Sequence, residues 1–440
     1  MKKYIYSVAA VCAMMSLAAC SSDENLGGAT DQDQQITIAL SSTGDQATRA
    51  DRNLTSEEAG QDIQSVTLVV RKQDGTVAYT HTIDDWQASS AVYTTEGHGR
   101  QMTFTIPKAD KLAAGETYYV TAIGYNEGNY TLDATTATKG DAATNNFTAQ
   151  LAQGATAKEI FAGESQFEVG TESGKVSATT VTLHRQVAGT YGYFTSIPAK
   201  IGDKEVKTIR MVARSENTKM TFGGFNSDFE EAGKDGKAGQ VMYVVNGSEA
   251  PATTNAHFMA GDEAYTLFSA NVKDWFPQGD ENADGVLNSK DASWTNAIDP
   301  TNQTTIYKRG SIFASNFVIP FAATDGKTTL ELQLLDETGA VLYAWPVKLD
   351  TDDQIGKTGE SVATAFLAQN SALTTTETAD AFSFFRNHIY AVGLHKTNKP
   401  NPDPDPEPGT DEPTDLGKIQ NIVIRVNDNW EAIHHMTIDE

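Results

Sequence analysis

Apolar and polar residues alternate in short runs along most of this 440-residue chain, which is the period of a strand with one buried face. The first run, Ile36-Thr37-Ile38-Ala39-Leu40, sets Ile36, Ile38 and Leu40 on one face and stands isolated in a polar, acidic stretch from Ser21 to about Glu58. A series follows: Val66 to Arg71 before Asp74-Gly75, then Thr76 to His81, Met102 to Ile106 and Tyr118 to Tyr125. Asp-Gly between two β-rich runs signals a hairpin, because glycine takes the positive φ of a tight turn. Residues Asn126 to Thr156 are rich in Ala, Thr, Asn and Gly with weak periodicity, and are expected to be irregular or partly helical surface. Strand patterns resume at Val176 to Leu183, Arg185 to Gly189, Tyr191 to Phe194 and Val206 to Arg214. Later ones are Gln240 to Val245, Tyr265 to Phe268, Ser311 to Phe321, Thr328 to Leu335, Val341 to Leu349 and Asn387 to Leu394. No helix-period segment of comparable length competes, so an all-β fold is expected, with a boundary between two sandwiches near residue 185.

Composition narrows the class. With 39% apolar, 9% aromatic and 21% charged residues the chain is a folded protein of roughly two to three domains. Asp and Glu number 58 against 33 Lys and Arg, a net charge of −25 with no basic run, which argues against nucleic acid as a partner.

The two ends carry the most specific signals. Lys2 and Lys3 precede an apolar run from Ile5 to Leu17 that is too short to span a bilayer, as in a signal peptide. It ends in Leu17-Ala18-Ala19-Cys20 before Ser21-Ser22-Asp23, which resembles the lipobox of bacterial lipoproteins, in which the cysteine is acylated and becomes the mature N-terminus; the alternative is an ordinary signal peptide with a chance cysteine. Cys12 lies in the removed segment, so Cys20 has no partner for a disulfide. Lipid at Cys20 would then be the membrane attachment, on a body whose charge becomes −27 once Lys2 and Lys3 are gone. Ser41 to Arg52 lacks periodicity and reads as an exposed loop that offers Arg49 and Arg52 to a protease. Near the C-terminus, Lys399-Pro400-Asn401-Pro402-Asp403-Pro404-Asp405-Pro406-Glu407-Pro408 favours a stiff, hydrated, polyproline-like spacer. Beyond it, Ile419 to Val426 is a strand pattern with Ile422, Ile424 and Val426 on one face, followed by Trp430 and Ile433. Its backbone donors and apolar face need a partner, which is either this chain's body or another molecule.

These residues together resemble the fimbrillins, the lipoprotein pilins of type V pili in Bacteroidales. The likeness rests on the acyl-Cys start, the strand at Ile36 to Leu40, the Thr48-Arg49-Ala50 loop and Val66 to Val70 before Asp74-Gly75. It continues through Leu183-His184-Arg185-Gln186-Val187-Ala188, Arg386-Asn387-His388-Ile389-Tyr390 and the tethered C-terminal strand. The resemblance implies two tandem transthyretin-like β-sandwich domains with an extended C-terminal donor strand. It also implies cleavage by an Arg-specific protease between Arg49 and Ala50, with Arg52 as the fallback. The strand Ile36 to Leu40 would leave, and Ile419, Ile422, Ile424, Val426, Trp430 and Ile433 would form the donated segment. The implied division is signal peptide 1–19, lipidated propeptide 20–49, N-terminal sandwich 50–185, C-terminal sandwich 186–397, linker 398–418 and donor segment 419–440. The implied partners are identical subunits, anchor and tip subunits, the protease, and the outer membrane through lipid before processing. A chain with both a cleavable loop and a donor segment is expected to be a shaft subunit at the cell surface.

One further motif stands apart. Asp280, Asn282, Asp284, the Val286 carbonyl, Asn288 and Asp291 have the 12-residue spacing of a calcium loop, with Gly285 at the sharp turn and Leu287 as the apolar eighth residue. The loop resembles those of dockerins, although Trp275-Phe276-Pro277 precedes it in place of an entering helix, and a plain Asx-rich turn is the alternative. No cofactor is required, and a structural Ca²⁺ is the one expected candidate. No His-Glu-x-x-His or Gly-x-Ser-x-Gly occurs, and the adjacent His434 and His435 face opposite ways on a strand, so no enzyme is expected. An outer-membrane surface lipoprotein that binds a glycan or host ligand, an anchor or tip fimbrial subunit included, is the competing function, with Trp86, Trp275, Trp294 and Trp345 as the candidate stacking face; a secreted hydrolase is a more distant third.

Overall fold

A computed structural model describes residues 34–40, 63–92, 100–142, 147–171, 176–177, 179–213, 217–222, 265–298, 307–320, 330–349, 388–393, 414–416 and 432–438. Among these, regular structure is almost all strand; the α-helices are two four-residue turns, Trp86–Ser89 and Val272–Trp275. No described helix is long and apolar enough to cross a membrane.

The first unit is built from seven strands: β1 (Gln34–Leu40), β2 (Ser65–Lys72), β3 (Val77–Ile83), β4 (Arg100–Ile106), β5 (Thr117–Tyr125), β6 (Phe161–Glu168) and β7 (Thr180–Arg185). The expected hairpin joins β2 to β3, with Gly75 at φ 87° and the Gly75 N–H donating to Lys72 O at 3.0 Å. The ladder runs β3-β2-β5-β6-β7-β1-β4, with the two-residue strand Ala91–Val92 beyond β4. β6 and β7 meet at only two residue pairs, Ala162 with His184 and Phe161 with Arg185. The ladder folds over there, so that Val66, Leu68, Val70, Tyr118 and Val120 from one half pack into the same core as Ile36, Phe104, Ile106, Val181 and Leu183 from the other. That is a β-sandwich.

A second unit repeats this plan strand for strand. Its strands are β8 (Ala188–Thr195), β9 (Thr208–Ala213), β10 (Tyr265–Asn271), β11 (Ser311–Val318), β12 (Leu330–Leu335), β13 (Val341–Leu349) and β14 (His388–Val392). One half is ordered β10-β9-β12-β13 and the other β14-β8-β11. Adding seven to each label of the first unit reproduces the second, including the parallel pairing of β7 with β1 and of β14 with β8. Every other neighbouring pair within the repeat is antiparallel in both units. The close approach of Gly192 on β8 to the Phe194 and Phe268 rings leaves no room for a side chain: a Cβ there would lie 2.4 Å from Phe194.

The repeats differ in how their halves join. A fifteenth strand, β15 (Ala432–Ile438), lies between β13 and β14, antiparallel to the first and parallel to the second. Of the two partners open to the tail, this chain's own body or another molecule, its last strand takes the first. Thr414–Asp415 also pairs with Phe194 and Thr195 of β8, and Leu416, inside the expected spacer, is buried with its N–H donating to Thr195 O at 2.9 Å.

Residues 126–156 match the expected irregular, partly helical surface in part, with the 3-10 turn Asp133–Thr136, and depart from it elsewhere. They include two short strands, Tyr130–Leu132 and Thr148–Leu151, that pair with each other, and the second also pairs with Lys219–Thr221 from the second unit. Tyr130, Leu132, Phe147 and Ala149 are buried in one continuous core with Val69 and Ile123 of the first unit and Tyr191, Ile209 and Phe313 of the second. This covering explains why β2 is buried on both faces, and it encloses Arg71, which pairs with Glu164 on β6. Arg71 also donates to Thr121 Oγ1 at 3.1 Å, and its guanidinium lies 5.9 Å from the Phe147 ring centroid. Removing one member of a buried ion pair strands the other's charge. Glu164→Ala is expected to cost about 3 kcal/mol in urea unfolding, and Arg71→Met with Glu164→Leu to recover most of it.

Candidate functional site

The candidate site is the place β1 occupies. It pairs with β4 over its whole length, from Gln34 opposite Ile106 to Leu40 opposite Arg100, and with β7 from Thr37–Thr180 to Leu40–Leu183. A strand inside a sheet satisfies backbone donors and acceptors on both sides, and its absence would leave two open edges. Its counterpart in the second unit, β8, follows β7 with only Gln186 and Val187 between them. β1, by contrast, reaches the rest of its unit only through residues 41–64, the stretch whose sequence contains Arg49 and Arg52.

The sequence places Ile36 on the inward face of β1, and it is 1% exposed in the first core. Gln34 is equally buried and makes a paired contact that the sequence reading missed: Nε2 donates to Leu112 O at 3.1 Å, while the Leu112 N–H donates to Oε1 at 2.7 Å. Leu112 follows the 3-10 turn Lys108–Asp110 at the end of β4, so this amide clips the first residue of β1 to the loop beside its neighbour. The signal was present in the alternation, since Gln34 shares the face of Ile36 and a polar residue there requires a buried partner. Which residue supplies it is not written locally.

Cys20, Arg49, Ala50 and Arg52 lie outside the described residues, as do Ile419, Ile422, Ile424, Val426 and Trp430. Ile433 lies in β15, where it registers with Ile389 of this chain's own β14.

The calcium-like loop is well defined and closed by its own hydrogen bonds. Asp280 Oδ2 accepts from Gly285 N–H at 2.8 Å, Asn282 Oδ1 from Asp284 N–H at 2.9 Å, and Asp284 Oδ1 from Val286 N–H at 3.1 Å. Asp291, fully buried, accepts from the N–H groups of Glu281 and Asn288 at 3.0 and 2.8 Å. Leu287 is buried and pairs with Ile197. Hydrogen bonding to Lys290 holds the Asp284 carboxyl below its usual range, and the Ser293 N–H does the same for Glu281. Asp280 Oδ1 is buried without a hydrogen-bond partner. Among the described residues no group of three or more His, Cys, Asp or Glu is gathered as a metal centre.

Trp86, Trp275, Trp294 and Trp345 are all buried, so they present no stacking face for sugars.

No protein-family model matches the sequence. No curated protein matches it either. Solved structures do resemble it, and they come from Bacteroidales. A candidate adhesin from Bacteroides ovatus aligns with a TM-score of 0.36 at 12% identity, over 71% of this chain and 77% of that one. A fimbrial assembly protein from Parabacteroides distasonis gives 0.32 at 11% identity, over 72% and 85%. The fimbrial anchor protein Mfa2 from Porphyromonas gingivalis gives 0.31 at 11%, over 71% and 82%.

If the amide clip holds β1 in place, Gln34→Ala in the uncut chain leaves both buried backbone groups of Leu112 short of a partner. The expected loss is about 1–3 kcal/mol, read as faster amide exchange across β1 and β4 with β8 and β11 unchanged.

Proposed function

We propose that this chain is a fimbrial (pilus) shaft subunit, exported as a lipoprotein acylated at Cys20, cut after Arg49 with Arg52 as the fallback, and polymerised by strand exchange in support of adhesion. The observation that carries this reading is that β1 completes the interior of the first sandwich while its only covalent link to that unit is the stretch containing the two arginines. Cleavage there turns an intramolecular strand into a bound peptide. Once β1 dissociates, β4 and β7 expose unpaired edges around an apolar gap lined by Phe104, Ile106, Val181 and Leu183. A strand from another copy would restore the ladder by β-augmentation, with main-chain bonds supplying affinity and alternate side chains supplying fit. Because donor and acceptor are different surfaces of one chain, such contacts are heterologous, and they extend into a filament where the rotation between copies does not close a ring.

On this reading the partners are identical subunits, anchor and tip subunits, and an Arg-specific protease. The outer membrane is a partner only through the lipid before processing, the mature location is the cell surface, and the role is structural rather than enzymatic. Treating the purified soluble chain with an Arg-specific protease is expected to give a detergent-resistant ladder of oligomers, and Arg49→Ala with Arg52→Ala to leave monomers. A wild-type chain that is cut yet stays monomeric would overturn the proposal.

Ca²⁺ at the 280–291 loop is proposed as a stiffening ion, separate from the strand slot. Its support is the 12-residue spacing and the unpartnered Asp280 Oδ1. Binding would require Asp291 to release amides that it now accepts from. Excess Ca²⁺ over EDTA is expected to raise the thermal midpoint, and Asp280→Ala to abolish the rise; an unchanged midpoint in the wild type rejects the ion.

A further inference from the structure

Resting on the strand-exchange reading and on the C-terminal donor segment that it takes from the resemblance, we infer the register of the exchange: Gln420–Val426 of a second copy replaces Gln34–Leu40 with Gln420 seated in the place of Gln34. The two segments read Gln34-Gln35-Ile36-Thr37-Ile38-Ala39-Leu40 and Gln420-Asn421-Ile422-Val423-Ile424-Arg425-Val426. In this register the alternate set Gln34, Ile36, Ile38 and Leu40 is matched by Gln420, Ile422, Ile424 and Val426. A strand entering one residue out of step would turn every side chain to the wrong face. Apolar alternation by itself does not choose between shifts of two residues. The amide does, because the slot ends in the buried N–H and C=O of Leu112, and only a side chain with both a donor and an acceptor satisfies the pair. In the C-terminal segment that side chain stands two residues before the first isoleucine of the set, as it does in β1.

The rival donor within the tail is β15, and it does not fit. Its alternate sets are Ala432, His434, Met436 and Ile438, or Ile433, His435 and Thr437, and neither begins with an amide followed by isoleucines. β15 is also already paired on both sides in its own second unit. The neighbouring fixed point favours a second copy as the source: Leu416, four residues before Gln420, is bonded to Thr195 of the second unit, whereas the slot belongs to the first. Joining the second unit of one copy to the first unit of the next gives a head-to-tail order. Gln420 thus becomes a register-setting residue rather than a generic polar position.

The register can be read by cross-linking. β1 pairs antiparallel with β4, Thr37 lying opposite Thr103, so Val423 of the donor is expected opposite Thr103 of the acceptor. Opposed residues in antiparallel strands lie about 4.5–5.5 Å apart at Cα, within reach of a disulfide. Thr103 is exposed, so a cysteine there does not disturb the core. The mature chain carrying Cys20→Ser would be prepared as Thr103→Cys and, separately, as Val423→Cys or Arg425→Cys. Each pair would be mixed, cut with the Arg-specific protease and oxidised. The inference expects a disulfide between copies for Thr103 with Val423 and none for Thr103 with Arg425. It also expects Gln420→Ala to raise the concentration needed for the ladder on the order of tenfold. If the ladder forms but the disulfide appears at Arg425 or at neither position, the register is wrong while strand exchange stands. If cleaved wild type makes no ladder, strand exchange itself falls and the inference with it.

Discussion

Each edge of a β-ladder must find a partner, and in this protein that requirement binds the two ends of the chain to its two sandwiches. β1 fills the interior of the first unit, seven residues deep against β4. β15 fills the second, between β13 and β14. Neither terminal strand is an appendage, since withdrawing either one exposes rows of backbone groups that water must then satisfy. The first unit's dependence is the sharper, because β1 occupies the same position as β8, which follows directly from its preceding strand and is one of the most deeply buried strands of the second unit.

The repeated seven-strand plan accommodates a strand from near each end of the described chain, but in different ways. In the first unit the halves meet directly through β6 and β7; in the second they are bridged by β15. The units are also stitched together, by the pairing of Thr148–Leu151 with Lys219–Thr221 and by a core shared across them. Cross-unit packing couples the two sandwiches, so that they are joined by a packed interface as well as by the link between β7 and β8.

Buried polar groups mark the positions where the apolar pattern alone would be ambiguous. Gln34 ties β1 to Leu112, and Arg71 ties β2 to β5 and β6 through Thr121 and Glu164. Arg185 at the end of β7 pairs with Glu159 at 2.8 Å, just before β6. Each pairing holds only when the strands stand in one register, so their contribution lies in specificity as much as in stability. A sheet of isoleucines and valines slides more easily than one carrying such groups.

Alternation of side chains was enough to identify the all-β class and most strands, because a half-buried strand has to repeat every two residues. The Asp74-Gly75 hairpin and the early strand at Ile36 to Leu40 were both readable in this way. β6 was not, because Gly163, Glu164 and Ser165 interrupt its apolar set, and Glu164 is there to meet Arg71 from a strand nearly a hundred residues away. The strands within 126–156 were hidden by their brevity, since a three- or four-residue run carries too little periodicity to stand out and is fixed by the surface it covers. The sequence supplied the amide of Gln34 and its echo in Gln420, but only tertiary structure revealed that Leu112 waits at the end of the slot. The insertion of β15 likewise depended on which edges the finished sandwich left open. Local pattern determines which segments are strands; long-range hydrogen-bond closure decides which strand lies beside which.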